Sequence, residues 1–400
     1  MIEDAQLILV AGGLLVAAVL VSVVADRLRL PALVLFLVLG MVIGSDGIGW
    51  IDFGGDPGDY EFTRLIGSIA VALILFEGGL ATGFQQIRPV LRPAIALATL
   101  GTVGTAAVAG VAAMLLFDFS PLQGLLVGAI VSASDGAAVF AILRRSKLRQ
   151  RLACTLEGEA GLNDPVAVLL VLALIELILT PGYDGVDAVL FFVQELGIGI
   201  LVGVGVGWLA AKGLQRFGAL LPQGLVLVAS FAAAALAFGL AGALHGSGFM
   251  AVYLAGLAVG SVKLADRPSL LAFHDGLGSV AEIGLFLVLG LLVDPGQLTS
   301  IVVEAAVLAL VLAFVARPLA AMLATALGRF DVRERLALGW AGLRGGVPVV
   351  LATFPVIAGV PRSVEFFNIV FFAVLVSTVV QGTTLEALAR RLGVVESSPR

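Results

Sequence analysis

The stretch EGEAGLNDPVAVLLVLALIELIL, residues 157–179, places three acidic side chains at the front of a long apolar run. In the whole chain of 400 residues, 60% are hydrophobic and 13% are charged, and the mean hydropathy is +1.12. Soluble domains carry about 25% charged residues, so one or two of them could not bury this much apolar surface. The composition therefore predicts a polytopic membrane protein that is surrounded by lipid and has no nucleic-acid partner.

A hydrocarbon core of about 30 Å is crossed by roughly 20 apolar residues in a helix. When the chain is divided at its polar and Pro/Gly-rich breaks, it yields thirteen candidate spans, of which the second and the ninth are short. They lie near residues 5–25, 31–45, 64–81, 93–117, 122–143, 153–179, 187–211, 221–244, 248–262, 270–293, 297–327, 334–358 and 364–389.

Basic residues occupy every second loop between these spans, as in RRSKLRQR (144–151) and RFDVRER (329–335). The loops between them are acidic or neutral, such as TPGYDGVD (180–187). Because Lys and Arg collect on the cytoplasmic side, the N-terminus is expected outside and the C-terminus inside, in the plasma (inner) membrane. The start MIEDAQ is acidic, which predicts a retained first helix and not a cleaved signal peptide.

Three ionisable residues of different spans reach a similar depth in the membrane. Asp164 follows Arg151 of a basic loop by 13 residues, which is roughly 20 Å along a helix. Asp135 and Arg344 each lie 9 residues from a basic loop, or about 14 Å. An isolated charge there costs at least about 2.5–3.5 kcal/mol, so these side chains should face one another or a water-filled cavity.

Glycine stands beside two of these charges, in SASDGAAV (132–139) and GLRGGVPVV (342–350), and the second stretch adds a proline. Both stretches predict broken helices, and unwound backbone at that depth must line a cavity or be buried in protein. They fall in the fifth and twelfth spans and run in opposite directions, which predicts an inverted repeat with two crossing broken helices. Asp135 is expected near helix N-termini and Arg344 near helix C-termini, whose partial charges they offset. The chain is interpreted as one transmembrane domain, with repeats at about 1–180 and 221–392 and a linking helix at about 187–211.

Five segments resemble signature segments of the NhaP-type monovalent cation/proton antiporters, and most closely the potassium/proton branch. They are EGEAGLNDPVAV (157–168), SASDGAAV (132–139), GLRGGVPVVLATFP (342–355), LFEGGL (75–80) and GSGFMAVYLAGLAVG (246–260). The resemblance covers nearly the whole chain. It implies an all-α antiporter fold, homodimers, no cofactor, and exchange of one proton for one K⁺ or Na⁺.

The resemblance also implies roles for individual residues. Asp164 would bind the ion and the proton, with Asp135 and Ser134 completing the site and Asn163 bracing the crossing. Glu159 would contribute to the site and pair with Arg344. The weaker site candidates are Glu157, which would line the mouth of the cavity, Glu77 and Glu282.

Three positions depart from the family pattern and bear on ion selectivity. Ala160 stands where the family often has Ser, Gly136 where Pro is common, and Glu282 where the branch often has Gln. Members of the branch often carry a cytosolic regulatory domain after the last span, and none is expected within these 400 residues.

The chemistry of the residues agrees with exchange. A proton and a metal ion compete for the oxygens of a buried carboxylate, and oxygen ligands suit a hard cation. Asn163 cannot ionise, so its pair with Asp164 favours one-for-one, electroneutral exchange. A transporter is thus predicted and not an enzyme. A proton-coupled symporter remains the nearest alternative, ahead of an ion channel, for which no filter-like segment is evident, and of an intramembrane hydrolase.

Overall fold

The computed structural model describes residues 2–28, 32–45, 47–54, 56–134, 148–264, 266–293, 296, 301–326 and 328–395. In these ranges every regular element is a helix. The helices are α1 (Ile2–Leu28), α2 (Ala32–Ile43), α3 (Pro57–Thr82), α4 (Phe84–Phe117), α5 (Pro121–Ser132), α6 (Gln150–Leu179), α7 (Gly185–Phe217), α8 (Gln223–Ala243), α9 (Gly248–Gly260), α10 (Arg267–Leu291), α11 (Val302–Ala324), α12 (Val332–Trp340), α13 (Gly346–Ile357) and α14 (Ser363–Leu392).

The predicted spans coincide with these helices. Eight helices of the described ranges are long and apolar enough to cross a membrane, and five shorter apolar helices accompany them. The two spans predicted to be short are α2 and α9, with 12 and 13 residues, or about 18–20 Å of helix. The all-helical membrane fold predicted from the sequence is confirmed.

Both predicted breaks begin at the expected positions. The twelfth span is divided into α12 and α13 by the irregular segment 341–345. In the fifth span α5 ends at Ser132, and Ala133 has extended backbone angles (φ −58°, ψ 135°). Residues 135–147, the rest of that span, lie outside the described residues. Residues 133–134 of the first break and 341–345 of the second are buried, which is the condition for unwound backbone within a membrane.

A single π-helical turn interrupts α4 at Leu97–Gly101 and α11 at Leu312–Ala316. The two helices pack against each other through small residues: a Cβ built on Gly104 would lie 3.5 Å from the Cβ of Ala320. π-turns often occur at functional sites. Here each lies in the span that precedes a broken one, so α4 and α11 carry the same irregularity at corresponding places in the two halves of the chain.

Glycines bring α9 into backbone contact with α3. A Cβ on Gly256 would lie 2.4 Å from the carbonyl oxygen of Phe76, and one on Gly260 would lie 2.4 Å from that of Leu80. Membrane helices associate through such small residues because lipid supplies no hydrophobic driving force between them. The close approach lets the 13-residue α9 sit deep in the bundle, next to α3 and α7.

Candidate functional site

The centre of the site is the middle of α6, where the sequence places an amide and a carboxylate side by side. Asn163 and Asp164 are 0% and 2% exposed, and Glu159 is 1% exposed. Glu159 precedes Asn163 by four residues, so the two side chains share one face of the helix. Pro165 follows within the helix and removes one backbone donor from it. Glu159, Asn163 and Asp164 of α6 are therefore all buried within the protein.

The first break is tied to α6 by a side chain. The backbone N–H of Ser134 donates to Oδ1 of Asn163 at 3.0 Å, and Ser134 is itself buried. This bond holds the residue that directly precedes Asp135 against the Asn163–Asp164 pair. Asp135, the second predicted carboxylate, lies outside the described residues.

The second break reaches the first through Arg344. Its Nη1 donates to the carbonyl oxygens of Ser132, at 3.0 Å, and Ala133, at 2.9 Å. These carbonyls close the C-terminal end of α5, where the helix dipole concentrates partial negative charge. The prediction that Arg344 lies near a helix C-terminus is confirmed, and the contact shows that the two breaks meet.

The predicted ion pair between Glu159 and Arg344 is wrong. The carboxylate of Glu159 forms a buried ion pair with Arg317 of α11 instead, and both side chains are 1% exposed. The reason lies in the second break: a Cβ on Gly342 would lie 2.1 Å from Nε of Arg317. Glycine at that position leaves the space through which Arg317 reaches Glu159, while Arg344 donates to the carbonyls of the first break.

The four charged groups still form one electrostatic unit. Arg344 is within electrostatic reach of Glu159 and Asp164, which attract it, and of Arg317, which repels it. Burial makes these interactions stronger than they would be in water. Asp164 therefore lies in a buried layer that also contains Arg344 of the second break and the Glu159–Arg317 ion pair.

The second break is braced by α14. The backbone N–H of Arg344 donates to Oγ of Ser377 at 3.3 Å, and Oγ1 of Thr378 donates to the carbonyl of Arg344 at 2.6 Å. In the same way Asn163 of α6 accepts the N–H of Ser134. Each break is thus held by a polar side chain of the span that follows it in the chain.

The weaker candidates lie on other parts of the helices. Glu77, Glu157 and Glu282 are half-buried on α3, α6 and α10. Glu157 is within electrostatic reach of Tyr253, a buried α9 residue whose ring packs on α6. A Cβ on Gly161 would lie 2.1 Å from that ring. The structure brings together Ser134, Glu159, Asn163, Asp164 and Arg344, and it adds Arg317.

Sequence analysis did not place Arg317, Ser377 or Thr378 at the site. A signal for Arg317 exists, because a second arginine at membrane depth needs its own carboxylate partner. The carboxylate with which Arg317 pairs depends on the free space beside Gly342. That space is set by how the helices pack and cannot be read from the sequence. Hydroxyls on an apolar helix such as α14 carry no distinguishing pattern in a single sequence.

An all-helical membrane fold in which two interrupted helices meet beside a buried carboxylate is the architecture of a secondary ion transporter. The chain belongs to the sodium/hydrogen exchanger family, whose transmembrane model matches residues 14–391.

Individual relatives agree with this membership. The chain is 41% identical over 395 residues to a protein of Shewanella sp. (strain ANA-3) named K(+)/H(+) antiporter NhaP2, covering 97% of this chain and 67% of the relative. It is 28% identical to the Na(+)/H(+) antiporter NhaH of Halobacillus dabanensis, covering 96% and 97%. The sodium proton antiporter MjNhaP1 from Methanocaldococcus jannaschii at pH 8 matches with a TM-score of 0.82 and 24% identity, over 98% of this chain and 99% of that one.

Proposed function

We propose that this chain is a secondary transporter that exchanges a monovalent cation for protons, and that Asp164 is the carboxylate for which both compete. The observation that carries the proposal is the burial of Asp164 beside Asn163, which holds the first break, and within electrostatic reach of Arg344 in the second break. A midplane carboxylate costs free energy and marks an ion or proton path by default. Family membership supports the same reaction class.

Competition at one carboxylate is sufficient for exchange. The proton and the cation bind the same oxygens of Asp164, so either one leaves before the other binds. Asn163 cannot take up a proton, and its Oδ1 is engaged by the N–H of Ser134. One titrating group in the Asn–Asp pair favours one proton per cation, which makes the exchange electroneutral.

The remaining site residues have supporting roles in this proposal. Ser134 and Asp135 supply further oxygen ligands from the first break. Glu159 shapes the site through its pair with Arg317, and Arg344 neutralises the carbonyl end of α5. Glu77, Glu157 and Glu282 lie on possible approaches for the ion, and Glu282 bears on the choice between K⁺ and Na⁺.

The transported ion is K⁺ or Na⁺. Carboxylate, hydroxyl and carbonyl oxygens are ligands for hard cations, and an unwound break exposes carbonyls for this purpose. Relatives named for either ion match this chain over almost its full length. No organic cofactor is needed for such an exchange.

Alternating access would arise from the inverted repeat. Residues 1–180 and 221–392 form the two repeats of one transmembrane domain, and α7 links them. The paired π-turns of α4 and α11, the paired breaks and the paired braces from α6 and α14 support this division. The transporter works as a homodimer in the plasma (inner) membrane, in contact with lipid, with its N-terminus outside and its C-terminus in the cytoplasm.

Transport by purified protein in proteoliposomes tests the proposal. An inward K⁺ or Na⁺ gradient is expected to drive protons out, reported by a pH dye, with Li⁺ and Rb⁺ completing the series. Asp164→Asn removes the titrating carboxylate and should abolish this flux while the protein still folds. Glu176→Gln, an exposed carboxylate further along α6, is the matched control and should transport normally.

The direction of the proton flux separates exchange from its nearest alternative. Proton movement in the same direction as the cation would establish symport, and cation current without coupled proton flux would establish a channel. Cation-dependent proton flux retained in Asp164→Asn would overturn the assignment of this carboxylate.

A further inference from the structure

An arginine at the start of α14 reaches across to the segment that precedes α5. The Cζ of Arg362 lies 4.4 Å from the ring centroid of Phe119, and its Nη groups donate to the carbonyls of Phe117, at 3.1 Å, and Asp118, at 3.3 Å. Glu365 fixes the guanidinium through two bonds of 2.7 and 2.8 Å. We call Arg362, Phe119 and these two carbonyls the Arg362 staple.

The backbone of Arg362 is unusual in a way that suits this role. Its φ is +65°, the left-handed region that residues other than glycine rarely occupy. Such a conformation persists only where surrounding contacts hold it. The contacts of the staple and the bonds to Glu365 are among those that hold Arg362.

A second arginine makes the corresponding contact at the start of α6. The Cζ of Arg151 lies 4.0 Å from the ring centroid of Phe330, in the segment before α12, and its Nη1 donates to the carbonyl of Arg329 at 2.6 Å. A guanidinium over an aromatic face is attracted by the ring quadrupole. We call Arg151, Phe330 and this carbonyl the Arg151 staple.

The two staples match in sequence position. Phe119 and Phe330 each lie two residues before the first residue of a half-helix, α5 or α12. Each half-helix begins with a capping box, formed by Ser120 and Gln123 in one and by Asp331 and Glu334 in the other. In both half-helices the third residue also bonds to the segment that carries the arginine. Gln123 donates to the carbonyl of Pro361 at 3.2 Å, and Glu334 accepts from Arg149 at 3.2 Å.

The staples lie at opposite ends of the fifth span. The Arg362 staple holds the segment before α5, and the Arg151 staple holds the start of α6, which follows that span. From these two ends α5 and α12 run inward, and both end at the breaks, where Arg344 joins them. Both staples are formed in the same structure, as expected of fixed anchors. Two gates that open in turn would be formed one at a time.

We propose that Arg151 and Arg362 are positioning residues, each anchoring the surface end of one half-helix so that its inner end keeps the ion site in register. The 12 residues of α5 form a stiff rod, about 18 Å long. A shift at its surface end therefore moves the carbonyls of Ser132 and Ala133, and with them the segment that Asn163 holds. This role rests on the proposed cation/proton exchange.

Transport kinetics test the role in the reaction. Arg362→Ala and Arg151→Ala should each raise the half-saturating cation concentration by about fivefold with a smaller change in maximal rate. The lysine variants keep a cation over the ring and should recover most of the affinity. Arg390→Ala is the control, because Arg390 is exposed and pairs only with Glu386 of its own helix among the contacts described. Alanine variants that match this control would overturn the proposal.

Hydrogen exchange tests the anchoring without any transport. Arg362→Ala should speed amide exchange most in residues 121–134, and Arg151→Ala most in residues 332–345, with a smaller effect on the other segment, to which Arg344 connects each. Unchanged exchange in both variants would overturn the staples even in an active protein. If the wild-type protein exchanges no ions, the proposed function fails, whereas this measurement still decides whether the half-helices are anchored.

Discussion

At the scale of single residues, the structure gives two buried arginines different partners. Arg317 neutralises the carboxylate of Glu159, and Arg344 neutralises the carbonyl end of α5. Both lie within electrostatic reach of each other. Two like charges at that depth are stable only when each has its own negative partner, so removing either partner leaves an uncompensated buried charge.

A double-mutant cycle on Glu159 and Arg317 measures this division. Glu159→Ala and Arg317→Ala should each cost about 3–5 kcal/mol of stability, because each strands its partner. The double variant strands neither and should lose much less than the sum. Thermal unfolding in detergent is the measurement.

The cycle on Glu159 and Arg344 is the control for that experiment. It should give the smaller coupling energy, since Arg344 donates to backbone carbonyls. A larger coupling with Arg344 than with Arg317 would contradict the pairing and restore the one that the sequence predicted.

At the scale of elements, helix positions follow from the sequence, and helix contacts do not. The polar and Pro/Gly-rich breaks located the spans because hydrocarbon tolerates neither exposed backbone nor isolated charge. The two breaks were recognisable from glycine beside a charge. The π-turns of α4 and α11 were not, since neither LATLG nor LAFVA differs from an ordinary apolar helix in composition.

Gly256 tests how tightly α3 and α9 are packed. In Gly256→Ala the new Cβ would meet the carbonyl oxygen of Phe76, 2.4 Å away, so one of the two backbones must move. Overpacking of this kind costs about 1–3 kcal/mol. Gly205→Ala in α7 has open space around its Cβ and should stabilise its helix by up to about 1 kcal/mol. Equal melting temperatures for the two variants would contradict the close approach of α3 and α9.

At the scale of the whole molecule, the sequence predicted the fold class and the helices that carry the site. Asp164 and Arg344 were noticed because charge at the midplane is costly and therefore conspicuous in an apolar chain. Asn163 has no charge, and its role was inferred only from the family resemblance. The partner of Glu159 was not predictable, because it depends on the free space above Gly342. The braces from Ser377 and Thr378 likewise depend on which face of α14 meets the second break.

The distribution of basic residues among the loops predicts the orientation of the chain in the membrane. Labelling of single cysteines can test this orientation. Cys154 is the only cysteine, so Cys154→Ser provides a cysteine-free background. Pro181→Cys lies in an acidic loop and Arg216→Cys in a basic one, and both positions are exposed. Lys and Arg remain on the cytoplasmic side, so a membrane-impermeant maleimide should label intact cells at residue 181 only, and residue 216 only after permeabilisation. The reverse pattern would place the N-terminus inside and exchange the faces that the two staples occupy.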